Sequence, residues 1–125
     1  MAQAVGTVTR TVGSEHTAKA VGSGDVEVFA TPILLAWCEE ATCAALELEP
    51  GQTSVGTRIA IEHLAASPVG TVITATAEVI ARDWRLVTFG VHAVDDSGTL
   101  IGSGEVRRVV VDRERFLSRI APVGE

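Results

Sequence analysis

Lysine is nearly missing from this chain: Lys19 stands alone beside nine arginines and sixteen acidic residues, for a net charge of −6. A chain of that sign lacks the basic field that a phosphate backbone requires, which excludes nucleic acid as a general partner while leaving a local arginine site open. Cysteine is equally scarce. Cys38 and Cys43 lie five positions apart on one expected helix, so their Cα atoms are ~8 Å apart at ~1.5 Å rise per residue, beyond an unstrained disulfide. Both are expected to be buried free thiols. No apolar run reaches the ~20 residues of a membrane-spanning helix, so no membrane partner is expected. The opening MAQAVGTVTR lacks a charged start followed by an apolar core, and the expected location is the cytoplasm. Hydrophobic residues nevertheless make up 46% of the sequence. Without a membrane segment, that content points to surface covered by a second copy of the chain. The 125 residues suit one domain spanning 1–125 with a core that needs no staples, and no internal repeat or low-complexity tract interrupts it.

Several chemistries lack their motifs. There is no Gly-x-Ser-x-Gly elbow for a serine hydrolase. Gly22-Ser23-Gly24 and Gly102-Ser103-Gly104 have no third glycine or following helix to make a dinucleotide site. His16, His63 and His92 show no ligand spacing with the cysteines, so no zinc or other metal is expected.

What the sequence does contain is a helix from Thr31 to Leu48, TPILLAWCEEATCAALEL, apolar on nearly every side yet carrying Glu39 and Glu40 at its centre. Thr31 reads as the cap, with its oxygen accepting from a first-turn amide and Pro32 at the first helical position, where no donor is needed. Pro50-Gly51 stops the run. A helix without a broad polar face is a buried one. An ionised carboxylate within it costs several kcal/mol unless partnered, so Glu39 and Glu40 require an explanation.

The remainder is mostly strand. Val5 to Val12 alternates apolar and polar residues, and His16 to Val21 reads as its continuation after a break at Gly13-Ser14. Gly22 to Asp25 is a loop by composition, and Val26 to Ala30 leads into the helix as a lid would. Four further strands, Ser54–Ala66, Thr71–Arg82, Arg85–Val94 and Thr99–Val111, are separated by turn residues and read as an antiparallel meander. In Thr71–Arg82 the apolar Ile73, Ala75, Ala77 and Val79 face the helix, while Thr74, Thr76, Glu78 and Arg82 face away. Asp112 caps a short amphipathic helix, DRERFLSRI, and Ala121 to Glu125 reads as a frayed tail. The pattern is α+β, one helix on an antiparallel sheet.

Three side chains converge on the helix side. His63 shares the odd positions of its strand with Val55, Thr57, Ile59 and Ile61, which directs its imidazole towards the helix. A core histidine would lie there too. Glu39 faces the same region, where backbone donors or a cross-subunit arginine could also hold it, while Glu40 points away by ~100°. Together with the Thr31 hydroxyl they supply an acid, a base and a hydroxyl in apolar surroundings, the parts for acyl transfer. His92 reads as a surface or interface residue. Arg107-Arg108 reads either as a solvated strand end or as a phosphate clamp, making Arg108 a candidate substrate contact.

Phe29-Ala30-Thr31-Pro32 running into Trp37-Cys38-Glu39, VGTRIAIEHLAASPVGTVITATAEV from Val55 to Val79, Arg85 to Phe89, Ile101-Gly102-Ser103-Gly104, and Val111 to Phe116 resemble the fluoroacetyl-CoA thioesterase family of hot-dog proteins. The likeness spans roughly Val26 to Ile120 and is most specific around Glu62-His63-Leu64-Ala65-Ala66. It implies a hot-dog fold, an antiparallel sheet wrapped around a long central helix, and hydrolysis of an acyl-CoA thioester without a further cofactor. It also implies a homodimer, or a dimer of dimers, with the active site at the interface. By that resemblance Thr31, Glu39 and His63 match the catalytic threonine, glutamate and histidine, and Gly56 matches a glycine near the acyl group. The chain departs from the family at two places: Gly22 to Val28 lacks the phenylalanines that selection for fluoroacetate needs, and Val106 replaces a histidine common in the last strand. An acyl-CoA binding protein of the same fold and a hot-dog enoyl-CoA hydratase are the alternatives, although the Asp and His pairing usual in the latter is missing.

Overall fold

The computed structural model describes residues 4–120, and the tail Ala121 to Glu125 lies outside them. Five strands, β1 (Val5–Thr11), β2 (Gln52–His63), β3 (Val72–Asp83), β4 (Leu86–Asp95) and β5 (Leu100–Asp112), form one antiparallel sheet in the order β1-β3-β4-β5-β2. Three helices accompany it: α1 (Ala18–Val21), α2 (Thr31–Ala45) and α3 (Arg113–Ser118). The period-two pattern of β3 holds as far as Val79; a register shift between Val79 and Ala81 then resets the alternation, so Arg82, expected on the far face, pairs with the buried Val87 instead. Ile73, Ala75 and Ala77 are buried and Val79 packs against the core, with Thr74, Thr76 and Glu78 on the other face.

The four-strand meander requires correction. It holds for β3, β4 and β5, whereas β2 pairs with β5 and forms a free edge of the sheet. Residues 64–71 are a crossover, because their backbone groups are taken elsewhere. The Leu64 amide donates to Ile101, the Ser67 carbonyl accepts from Phe29, and Gly70 donates to Val12. That connection carries the chain past the start of α2 to the opposite side of the sheet.

The stretch expected to continue the first strand, His16 to Val21, is instead the end of a 3₁₀ turn (Ser14–His16) followed by α1. Thr17 caps α1 by accepting from the Ala20 amide, and Gly22, at φ 80°, closes it in the left-handed region that glycine favours.

α2 buries one face only. Leu34, Trp37, Cys38, Ala41, Thr42 and Ala45 recur at the three- and four-residue spacing of a single helical stripe, while Ala36, Cys43 and Ala44 are exposed. The all-round apolar sequence therefore leaves an apolar outer face in one protomer, and Cys43 is an exposed thiol instead of a buried one. The helix ends at Ala45 and not Leu48, since Leu46 turns extended and packs its side chain back on the core. β1 crosses this helix so closely that a Cβ on Gly6 would run into the Ala41 carbonyl and the Ala45 amide, so only glycine fits. α3 starts as expected, with Asp112 Oδ1 accepting from the Arg115 amide at 2.9 Å.

Candidate active site

Thr31 is the first residue of α2 and not its cap. Ala30 takes the cap position in extended conformation, with no side-chain bond to the helix. The threonine hydroxyl is engaged elsewhere: Oγ1 lies 2.8 Å from Nδ1 of His63, the last residue of β2. Phe29 meets the imidazole edge-on at 5.8 Å between centroids and itself packs on Trp37 at 4.8 Å, which fixes the ring against an aromatic wall. Burial lowers the pKa of His63 from the usual 6.5, with a backbone interaction at Ala65 pulling the other way. Its Nε2 is buried and has no hydrogen-bond partner among the described residues. Thr31 and His63 open onto a cavity of about 300 Å³ walled by Phe29, Val28, Ser23 and residues 64–66. Neutral imidazole beside a hydroxyl at the mouth of a small cavity is an arrangement that can take the hydroxyl proton.

Glu39 lies eight residues further along α2, ~12 Å up the axis at ~1.5 Å per residue, and belongs to a second cluster. Its Oε2 accepts from Arg108 Nη1 at 3.2 Å. Arg108 also donates from Nε to Ser54 Oγ at 2.9 Å and from Nη2 to the Ser54 carbonyl at 3.2 Å. The expected solvated strand end is thus wrong for Arg108, which is only 7% exposed. Its guanidinium is committed within the chain and holds the Glu39 carboxylate, which remains about a third exposed. The arginine that partners Glu39 comes from the same subunit. Gly56 pairs with Arg108 across the strands, and a Cβ there would sit 2.5 Å from Glu39 Oε2, so the carboxylate occupies the space a side chain would fill.

A register shift between Gly56 and Arg58 explains why these residues share a face with His63. The extra residue resets the alternation, so Ser54 and Gly56 join Ile59, Ile61 and His63 on the helix side. Val55 and Thr57, expected there, do not. Ser54 is the residue that sequence reasoning missed, because nothing local marks a strand serine as the anchor of an arginine 54 positions away.

Glu40 is explained separately: it pairs with Arg10 of β1 at the surface. His92 is exposed on the outer face of the sheet, as expected. Burial pushes the Cys38 thiol up to about 11, leaving it protonated at neutral pH and no nucleophile. No helix among the described residues is long and apolar enough to cross a membrane.

The family model for the fluoroacetyl-CoA-specific thioesterase matches residues 12–114. The fluoroacetyl-CoA thioesterase of Streptantibioticus cattleyicolor is 38% identical over 96 residues, 75% of this chain and 68% of the relative. A solved fluoroacetyl-CoA thioesterase superposes with TM-score 0.86 at 31% identity over 98% of each chain. A variant of that enzyme in complex with fluoroacetate and CoA gives TM-score 0.84 at 32% identity, over 93% of this chain and 98% of the other. A thioesterase-superfamily protein of Thermus thermophilus shares the fold at TM-score 0.88 and 23% identity, over 94% and 88% of the two chains. Helix α2 cradled by a five-stranded antiparallel sheet is the hot-dog fold, and the chain belongs to the fluoroacetyl-CoA-specific thioesterase family.

Proposed function

We propose that the protein is an acyl-CoA thioesterase for a small acyl group, acting as a homodimer with one hot-dog unit per chain and the coenzyme A of the substrate as the only carrier. The observation that carries this reading is the 2.8 Å contact between Thr31 Oγ1 and His63 Nδ1 at the mouth of a cavity of about 300 Å³. For Nδ1 to accept the threonine proton, the neutral ring must carry its own proton on Nε2, the buried nitrogen that lacks a partner among the described residues. An unpaired buried donor costs ~1 to 3 kcal/mol, so a carboxylate opposite Nε2 would both stabilise and orient the ring.

Glu39 of the same chain is two turns away, but β2 is an open edge. Antiparallel pairing of two such edges runs the His63 end of one protomer past the Gly56 end of the other. Glu39, beside Gly56, then faces the partner's histidine, and the exposed apolar stripe of α2 is covered.

In the reaction His63 takes the Thr31 proton as Oγ1 attacks the thioester carbonyl carbon. The C–S bond breaks, the thiolate leaves with that proton, and water, deprotonated by the same imidazole, releases the acid from the acyl-threonine. Glu39 stabilises the imidazolium. Arg108 holds Glu39 and does not itself contact the substrate.

Mass spectrometry of products from short acyl-CoA and enoyl-CoA substrates tests this. Free coenzyme A and carboxylic acid are expected, with an acyl adduct on Thr31 in the wild type and none in Thr31→Ala. Addition of water with the thioester intact would instead make the protein a hydratase, and binding without reaction a carrier. Equal turnover by wild type and Thr31→Ala would replace the threonine with a water nucleophile.

A further inference from the structure

Five of the nine arginines, Arg82 at the end of β3, Arg85 in the β3–β4 turn, Arg113 and Arg115 in α3 and Arg119 just after it, stand against Asp83, Asp112 and Glu114 nearby, so an acidic protein carries a locally basic corner. Within that corner Trp84, Arg85, Val111, Arg115, Phe116 and Arg119 line a depression of about 220 Å³ together with one carboxylate, Asp112, whose Oδ1 is engaged by the Arg115 amide. Arg85 lies over the Trp84 ring at 4.8 Å. No ion pair among the described residues occupies Arg85, Arg115 or Arg119.

Trp84 is out of place on structural grounds. It is 80% exposed, and its φ of 57° puts a bulky residue where a tight turn ordinarily uses glycine. Among the described residues the Arg85 guanidinium is the one group stacked on this largely exposed ring, and backbone strain of this kind gathers at ligand sites. The surroundings are nonetheless firm: Val110 donates to the Arg85 carbonyl at 2.9 Å, Arg113 to the Gly51 carbonyl at 2.9 Å, and Asp112 caps α3. Val111 is three residues beyond Arg108 on β5, ~10 Å from it at ~3.3 Å per residue.

We propose that this corner binds the nucleotide end of the coenzyme A thioester, the adenine stacking on Trp84 and the 3′-phosphate and diphosphate meeting Arg85, Arg115 and Arg119. This rests on the thioesterase reading, and names how that substrate is held. An exposed aromatic face is what a base stacks on, and a guanidinium fork matches phosphate oxygens in pairs. The site lies at the end of β5, past the buried Arg108 and Val110 and on the face of the strand opposite them, so an extended pantetheine arm would pass round this end of the sheet to reach the Glu39 cluster.

Titration with adenosine 3′,5′-bisphosphate, coenzyme A and dephospho-coenzyme A, followed calorimetrically, tests the proposal on the intact protein. The wild type should bind coenzyme A at least tenfold more tightly than dephospho-coenzyme A, and Arg115→Ala/Arg119→Ala should erase that difference. Trp84→Gly should weaken binding of the bisphosphate at least tenfold without lowering Tm, since glycine suits the turn; a tryptophan kept for structure would lower Tm instead. Unchanged affinities in these variants, or a wild type that does not distinguish the two coenzymes, would overturn the site. The titration needs no turnover. A protein that binds the bisphosphate but hydrolyses no thioester would uphold this site and strike down the thioesterase reading, and hydrolysis without bisphosphate binding would do the reverse.

Discussion

At the start of α2, Thr31 and His63 share one 2.8 Å contact and leave Nε2 without a partner among the described residues, whereas two turns on Glu39 meets a guanidinium that two further hydrogen bonds tie to Ser54. The first pair sits at the mouth of a cavity with groups able to exchange a proton. The second is locked, with Gly56 making room for the carboxylate and Ser54 gripping the arginine from behind. Removing a residue from the first pair should therefore cost activity with little loss of fold. Disturbing the second should cost both, because a buried guanidinium without its counter-charge is expensive.

The largest effect is expected at the histidine. His63→Ala should lower kcat/KM by ~10² to 10⁴, the usual contribution of a general base, while Tm changes little. In the wild type the base must be neutral, and burial lowers its pKa from 6.5. As pH falls through that depressed value the imidazole gains a proton and can no longer accept one from Thr31. With burial alone the acid limb of kcat/KM has its midpoint below 6.5, and the carboxylate proposed opposite Nε2 moves it upward, so Glu39→Gln should lower the midpoint and His63→Ala should abolish the limb. A midpoint above 6.5 would show that a counter-charge outweighs burial.

Glu39→Gln and Gly56→Ala sharpen the contrast from the locked side. The amide keeps an oxygen for Arg108 Nη1 but removes the charge, so kcat should drop ~10²-fold. Because Glu39 is partly exposed, the stability loss should be held to roughly 1 to 2 kcal/mol, below the full cost of a broken buried pair. Gly56→Ala would push the carboxylate from its place, with ~10-fold loss of kcat as a misplaced group gives. Steady-state kinetics and thermal unfolding on the same samples check both. A Glu39→Gln protein that loses stability but keeps its rate would reduce the cluster to scaffolding.

Much of this was legible in the sequence where the physics is local. The alternation of Ile73, Ala75 and Ala77, the Asp112 cap of α3 and the run of apolar residues in α2 each depend on neighbours within a turn or a strand. What failed depended on distant partners. Thr31 looks like a cap until His63, 32 positions away, takes its hydroxyl. Arg108 looks solvated until Ser54 and Glu39 enclose it. β2 looks like part of a meander because pairing order is set by where residues 64–71 find their hydrogen bonds. The α1 helix is a different failure, since its signals are local: Thr17 caps its start and Gly22 closes it, and those caps outweigh the weak alternation of the same residues. Thr31, Glu39 and His63 are candidates both from their facing positions and from family likeness, and the structure separates them into two clusters in one chain.

The smallest effect is expected at the neighbouring carboxylate, where adjacency in sequence and equality of charge are set against a different environment. Glu40 pairs with Arg10 across an open surface, the side chains 43% and 46% exposed, and such pairs contribute ~0 to 1 kcal/mol. Water replaces the lost partner of Arg10 when the charge is removed, and no buried group is left unsatisfied. Glu40→Gln should accordingly leave kcat/KM within experimental error and lower the unfolding free energy by no more than ~1 kcal/mol, less at high salt because exposed charges are screened within ~10 Å. Glu39→Gln in the same assays should show a loss that salt does not erase, since its partner is buried. If the two substitutions gave equal, small, salt-sensitive losses, Glu39 would be one more surface carboxylate, and the proton relay would have to run through Thr31 and His63 alone.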